Sequence, residues 1–350
     1  MFSLMINKIL YGLLIITLVI VTVSSIIYLA PVDPTRLTFG QMADAGSVEK
    51  KQKELGLDKP LIVQLGYYLN DISPISIYQK DYLTHPPFGH WFKLLSLGKY
   101  KIIGKLPYLR ESFQTGRQVS QLLLEALPKT MLLASLSLLF ALLIGIPFGI
   151  ICALHRNSIV DKLIIAFSTL GISLPSYIPA ILFAVLFGFI LTNITGLDVQ
   201  GSLFEMNDLG ESELRLRNLI LPVLALGIRP IAMIAQLTRS AFLDIFNQEY
   251  IKTAKAKGVN TFNMVLKHAL PNASITIIAA SSGWFATLIA GSYFVETIFN
   301  FKGMGDLTVN ALLSFDIPVL LGALICICTI FIFINIVVDM LYIKADPRIK

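Results

Sequence analysis

The sequence is poor in charge and in the residues that perform chemistry. Only 14% of its 350 residues are Asp, Glu, Lys or Arg, against about 25% in a soluble globular domain. It has three cysteines, four histidines and two tryptophans. Cys152, Cys326 and Cys328 all fall in apolar runs. No pair has metal-finger spacing, and an odd number makes a poor disulfide framework, so they read as small buried hydrophobes. His85 and His90 are five apart with no third ligand in view, which favours a polar surface pair over a metal site. No phosphate-cradling G-x-x-x-x-G-K-[ST] loop is written into the chain. Gly98-Lys99 is followed by Tyr100, and Gly104-Lys105 by Leu106, so the hydroxyl that such a loop offers to magnesium is missing. The chain is therefore not expected to hydrolyse ATP, and neither a cofactor nor a metal is expected. The net charge of +6 comes with no basic patch on a soluble module, so no nucleic-acid partner is expected.

What the sequence does have is apolar length. Hydrophobic residues make up 55% of it, and several runs reach the roughly 20 apolar residues that cross a hydrocarbon core of about 30 Å. The expected fold class is an all-α polytopic membrane protein with six spans, near 9–30, 128–154, 162–191, 218–239, 272–295 and 317–343. The first run follows Lys8, exceeds the apolar core of a signal peptide and lacks a small-residue cleavage pattern before Pro31, so it reads as a retained helix. The second holds Gly145-Ile-Pro-Phe-Gly149, small residues four apart that let helices approach closely in lipid. The third holds Pro175 and Pro179 and should be kinked or broken.

Charge suggests the orientation. His155, Arg156 and Lys162 lie between spans two and three, Arg239, Lys252, Lys255, Lys257 and Lys267 between four and five, and Lys344, Arg348 and Lys350 in the tail, whereas 192–217 is acidic. Short basic loops stay inside, so both termini are expected in the cytoplasm. The stretch 31–127 is long enough to translocate regardless of its charge. Its aromatic-rich middle, 70–117, should form a small folded cap with some helix. The expected organisation is thus an N-terminal helix (1–30), an external segment (31–127) with its insert at 70–117, a transmembrane core (128–343) containing a cytoplasmic loop (240–271), and a tail (344–350).

That loop is amphipathic without being long enough to span. Phe242, Phe246, Tyr250 and Ala254 repeat every four residues, with Leu243 and Ile251 beside them, a helical stripe. Gly258 suits a helix stop and Asn260 a cap for the next helix. There Phe262, Val265, Leu266 and Ala269 share a face, and Pro271 suits the start of span five. Two short helices around a glycine turn, with apolar faces and cationic flanks, fit either a membrane surface or the groove of a cytoplasmic partner.

The same loop resembles the cytoplasmic signature of ABC import permeases: E-A-A, three residues, G, nine residues, then I-x-L-P. Here Lys252, Thr253 and Ala254 stand at E-A-A, Gly258 at the glycine, and His268, Ala269, Leu270 and Pro271 at the end. The T-A-K-A-K-G and H-A-L-P-N-A wording is similar to the oligopeptide/dipeptide/nickel branch. The resemblance extends through Leu29-Ala30-Pro31-Val32-Asp33-Pro34, Leu55-Gly56-Leu57-Asp58-Lys59-Pro60, Leu127-Pro128-Lys129-Thr130, Gly171 to Ser176, Leu237 to Ser240, Glu296-Thr297-Ile298-Phe299 with Gly303-Met304-Gly305, and Asp346-Pro347-Arg348. The segment 70–112 is longer than the short connector expected there. The resemblance implies a permease in a bacterial inner membrane, paired with a second permease subunit. Two cytoplasmic ATP-binding subunits would hydrolyse the ATP, and an external solute-binding protein would deliver peptides or other small solutes. It also implies that Tyr250, Lys252, Thr253, Ala254, Lys257, Gly258, Leu270 and Pro271 couple to the ATPase.

Arg229 lies well inside the fourth span beside Pro230. A charge at that depth is costly and often functional. It can face the translocation path, pair with an acid of a partner subunit or mark an interface bend. Ser173, Pro175, Ser281, Ser282 and Gly283 are further path candidates, because broken or small-residue helices leave room for a cavity, although helix packing explains each as simply. Glu296, at the end of span five, should cap or bond the following loop. The rival classes are a secondary transporter or channel and a membrane-anchored signalling protein. The first would show inverted repeats and coupling charges near the midplane, and neither is evident. Nickel or another non-peptide solute remains an alternative cargo.

Overall fold

The computed structural model describes residues 2–29, 58–84, 86–206 and 210–345. Ala30–Pro34, Leu55–Leu57, His85 and the tail with Asp346-Pro347-Arg348 lie outside the described residues, and so do the expectations that fall on them. The chain divides into two compact units. One comprises Met1–Lys8, Leu127–Asp306 and Ile330–Lys350; the other Ile9–Ala126 and Leu307–Thr329.

The first unit is helical. It takes the first residues of α1 (Phe2–Leu29), up to Lys8, and most of α3 (Val119–Leu154), while α2 (Leu61–Ile72) belongs to the second unit. Next come α4 (Ile159–Ser173), α5 (Tyr177–Phe183, widened into a π-helix over Ala184–Ile190) and the short α6 (Thr192–Thr195). The acidic segment carries a small hairpin of β4 (Phe204–Met206) and β5 (Ser212–Leu214). Then follow α7 (Ile220–Phe246), α8 (Glu249–Ala256), α9 (Thr261–Asn263, continued as a π-helix over Met264–Ala269), α10 (Leu270–Gly291) and α11 (Tyr293–Ile298). The chain continues through α12 (Met304–Leu313) to α13 (Ile317–Ala345). Lys8 pairs with Asp339 near the two ends of the chain.

Among the described residues three helices are long and apolar enough to cross a membrane, and five units if each bent pair counts once. The first expected span, α1, is a continuous helix whose apolar stretch is the shorter Leu10–Ile26. The third span is broken: Ile159–Ser173 and Tyr177–Ile190 meet at 106°. Pro175 sits in the gap, since it disfavours a helical residue before it, while Pro179 is absorbed within α5. The second span starts earlier than expected, at Val119 rather than 128. Pro128 does not open the helix but sits inside it with Pro147.

The central helix is α7, which packs against α4, α5 and α10. The main core gathers Leu133, Ala180, Leu221, Leu226, Leu288 and Phe301. Gly149 lets α3 meet α7 backbone to backbone: a Cβ there would lie 2.5 Å from the Ala235 carbonyl oxygen. Glu296, with no exposed surface, ties the end of this unit together. Its Oε1 accepts from Thr130 (2.7 Å) and Ser292 (2.8 Å), and its Oε2 from the backbone N–H groups of Gly305 (2.7 Å) and Asp306 (3.1 Å). The bonding to the following loop expected from the sequence is present.

The second unit holds the cap. The sequence suggests only some helix there; the structure pairs one helix, α2 (Leu61–Ile72), with a three-stranded antiparallel sheet in the order β1 (Ile75–Gln79), β3 (Tyr100–Lys105), β2 (Trp91–Leu97). The register sets Ile77 opposite Ile102 and Leu97 opposite Tyr100 across the Gly98-Lys99 connection. The β-branched and aromatic residues of these strands fit a pleated surface, and they close over Leu83, Phe88 and Ile103. Ile20, Tyr68 and Leu321 form a second cluster. Asp316, at the start of α13, accepts from the Ser112 hydroxyl and from the Phe113 N–H (3.0 Å).

Candidate functional site

The loop after α7 is built as two helices around a turn. α7 ends at Phe246, and α8 restarts at Glu249. Gly258 stops it with φ at +79°, a left-handed conformation that glycine adopts without a Cβ clash. The Asn260 side chain then accepts from the Asn263 N–H at 2.8 Å and caps α9. Ile251, Met264, Val265 and Ala269 close against Phe242 and Ile277, which fixes both helices to the bundle.

This packing sorts the predicted residues. Tyr250, Lys252, Thr253, Lys257, Gly258 and Pro271 are exposed, and Leu270 is half-buried. Ala254 is only 8% exposed; it supports the loop from inside and offers no outer surface. Lys252 pairs with Glu249 at 2.8 Å, and the Thr253 hydroxyl donates to the Glu249 carbonyl. The second helix does not keep the expected stripe. Val265 and Ala269 are buried, but Phe262 is 70% exposed and Leu266 is exposed too. The π-helix over Met264–Ala269 changes the angle between successive residues, so a stripe drawn with an α-helical period misplaces Phe262 and Leu266. The outer face of the loop therefore combines Tyr250, Phe262 and Leu266 with Lys252, Lys255 and Lys257.

A strut stands just before the loop. Arg239, in the last part of α7, binds Asp161 at the start of α4 through two bonds, Nε to Oδ1 (2.7 Å) and an NH2 group to Oδ2 (2.8 Å). Asp161 also accepts from the Asn157 N–H at 2.9 Å. In the sequence Arg239 reads as an orienting charge within the Leu237–Ser240 resemblance, with no partner assigned. No sequence spacing could pair residues 78 apart.

The path candidates do not form one cluster. Ser173 and Pro175 are exposed at the break between α4 and α5, with the Ser173 hydroxyl donating to the Thr169 carbonyl. Ser281 is buried and donates to the Ile277 carbonyl at 2.6 Å, Ser282 is half-buried, and Gly283 is exposed. Arg229 is half-buried with its guanidinium carbon 6.0 Å from the Trp284 ring centroid. Its Nε is buried without a hydrogen-bond partner among the described residues. α7 and α10 thus bring Arg229 to the neighbourhood of Gly283 through Trp284. The role of Trp284 was not legible in the sequence.

Apolar bent and straight spans around one central helix, with a polar helical hairpin held outside the bundle, define a polytopic membrane permease. The chain belongs to the family described as the binding-protein-dependent transport system inner membrane component, which matches residues 145–350. The N-terminal family of the same system matches residues 1–108. A putative peptide transport system permease protein of Brucella abortus (strain 2308) is 33% identical over 350 residues, covering 100% of this chain and 99% of that one. A probable D,D-dipeptide transport system permease protein of Escherichia coli (strain K12) is 33% identical, covering 97% and 95%. Among solved structures, the MetNI methionine ABC transporter in an inward facing conformation matches at a TM-score of 0.53 and 18% identity, covering 65% of this chain and 97% of that one; this likeness concerns the fold. The chain is accordingly a permease subunit of an ABC importer and a multi-pass inner-membrane protein. Its family is one of transport permeases.

Proposed function

We propose that this permease imports peptides, and that the loop 240–271 couples it to ATP hydrolysis in separate cytoplasmic subunits. The cargo class follows its relatives, named as peptide and D,D-dipeptide transport permeases. The coupling reading is carried by one observation: an exposed apolar and cationic face, Tyr250, Phe262 and Leu266 with Lys252, Lys255 and Lys257, on a hairpin whose inner residues are packed solid. A stiff element with an unpartnered amphipathic face suits a groove in a second protein. Closure of the ATPase pair would move the hairpin as a lever, and the spans would alternate between outward and inward openings. A second permease subunit completes the path, and an external solute-binding protein delivers the cargo. In this arrangement both termini and the loop lie in the cytoplasm and the cap outside. Arg229, whose Nε has no hydrogen-bond partner among the described residues, faces the path and can meet a substrate carboxylate there, while Ser173, Pro175, Ser281, Ser282 and Gly283 border the path at separate places.

The decisive experiment is co-purification with the ATP-binding subunits. The unaltered chain should bring them out of membranes, and Tyr250→Glu with Phe262→Glu should release them while the permease remains folded. Retention of the ATPase subunits by the double variant, or their absence from the unaltered preparation, would overturn the coupling reading.

A further inference from the structure

The cap has a cavity of its own, of about 700 Å³. Small-molecule sites are concave, partly aromatic and carry a few convergent polar groups, and this one has all three features. One wall is a shelf in which the rings of Tyr78 and Tyr82 stack 5.2 Å apart and 11° from parallel. Phe88 packs on Tyr78 at 5.1 Å. Tyr67 and Tyr100 also line the cavity and are exposed.

The charges at the cavity fall into two groups. Asp71 is buried and spent: it holds Arg110 Nε at 2.7 Å and accepts from the Tyr78 hydroxyl at 2.7 Å. That contact fixes the tilt of the shelf, and it leaves Arg110 engaged as well. Glu111 and Lys59 also line the cavity, and these are available. Glu111 is exposed, and no cation among the described residues pairs with its carboxylate. Lys59 Nζ lies 4.9 Å from the Tyr67 ring centroid and 3.3 Å from its hydroxyl, with no carboxylate partner among the described residues.

We propose that this cavity binds a short zwitterionic peptide with an aromatic side chain. Its ammonium meets Glu111, its carboxylate meets Lys59, and its ring lies on the Tyr78–Tyr82 shelf. A neutral sugar would use the shelf and leave both charges idle. An anion would meet the unpaired Glu111 as well as Lys59. Only a ligand of both signs uses the two free groups, and aromatic faces add offset stacking. The choice of a peptide among zwitterions rests on the peptide reading above.

The test is equilibrium binding of L-alanyl-L-phenylalanine to the assembled transporter in lipid nanodiscs, without the external solute-binding protein. Saturable binding is expected. It should weaken at least tenfold in Tyr82→Ala and in the Glu111→Gln, Lys59→Gln double variant, and persist in Tyr82→Phe, which keeps the ring. The N-acetylated, C-amidated dipeptide and maltose should not compete. Absence of saturable binding, binding indifferent to the cap substitutions, or equal competition by either neutral compound would overturn the proposal. Peptide uptake by cells is read in parallel. Uptake with no cap binding defeats the cap site alone, whereas cap binding with no uptake of any peptide defeats the transport reading and leaves the zwitterion site standing.

Discussion

At the scale of single residues, Glu296 shows how a polar group is retained in an apolar bundle. Four donors converge on its two oxygens from Thr130, Ser292, Gly305 and Asp306. Removing the carboxylate leaves buried donors unsatisfied, and each costs about 1–3 kcal/mol. Glu296→Ala should therefore destabilise the detergent-solubilised chain by at least ~2 kcal/mol in thermal unfolding, and Glu296→Gln by less, because its carbonyl oxygen still accepts. Equal loss in the two variants would show that shape matters there more than acceptance. Glu296 could be read from the sequence as a loop-bonding residue, since it ends a span and precedes a glycine-bearing loop. Its partner Thr130 could not, because 166 residues separate them. The same holds for Asp161 and Arg239, which are 78 residues apart.

At the scale of elements, glycine does two different jobs. Gly258 sits at φ +79° with nothing within 4 Å of an added Cβ, so Gly258→Ala pays only the left-handed penalty of about 1–2 kcal/mol. The loop should shift or fray rather than unfold, and the expected readout is weaker retention of the ATP-binding subunits at unchanged permease yield. Gly149 is different, because an added Cβ meets the Ala235 carbonyl oxygen and Thr238. Gly149→Val should force α3 from α7 and lower the yield of folded protein, as size-exclusion profiles would show; an unchanged profile would contradict the close packing. The turn and caps of the loop 240–271 were legible because Gly258 and Asn260 signal locally. The exposure of Phe262 was not, because the change to a π-helix leaves no such local signal. The cap sheet was also missed. Its strands are short, and frequent aromatics were read as evidence of folding without regard to their alternation.

At the scale of the whole molecule, the two units should respond differently to alkali. Burial raises the pKa of Tyr68, Tyr78, Tyr82 and Tyr108 in the cap, with the Asp71 carboxylate adding to the shift in each. A tyrosine whose folded pKa is raised contributes stability that is complete below its unfolded value of about 10 and is lost as pH rises beyond it. Lys105 acts the other way: burial lowers its pKa, so its penalty is relieved as pH climbs towards the ordinary lysine value. Four groups oppose one, and the cap should lose its sheet cooperatively above pH ~10 while helical circular dichroism persists. Tyrosinate absorbance rising smoothly near the ordinary value, with no loss of sheet, would refute this. Composition made the membrane class evident at once, since apolar length is a property of each segment alone. The partition of the chain into two units depends on contacts between distant segments, which no single stretch records.

The break at Pro175 also bears on how the protein is made. α4 has 15 residues, about 22 Å of helix, which is short of a hydrocarbon core of about 30 Å. Neither half of this span is a complete passenger for the insertion machinery. Both halves pack on α7, which is synthesised later, so the third span should settle in the bilayer only after the ribosome has passed Phe246. In Phe167→Cys, whose site lies in the exposed face of α4, the new thiol should react with a membrane-impermeant maleimide in a chain truncated after Ile190 and should be protected in one extended through α7.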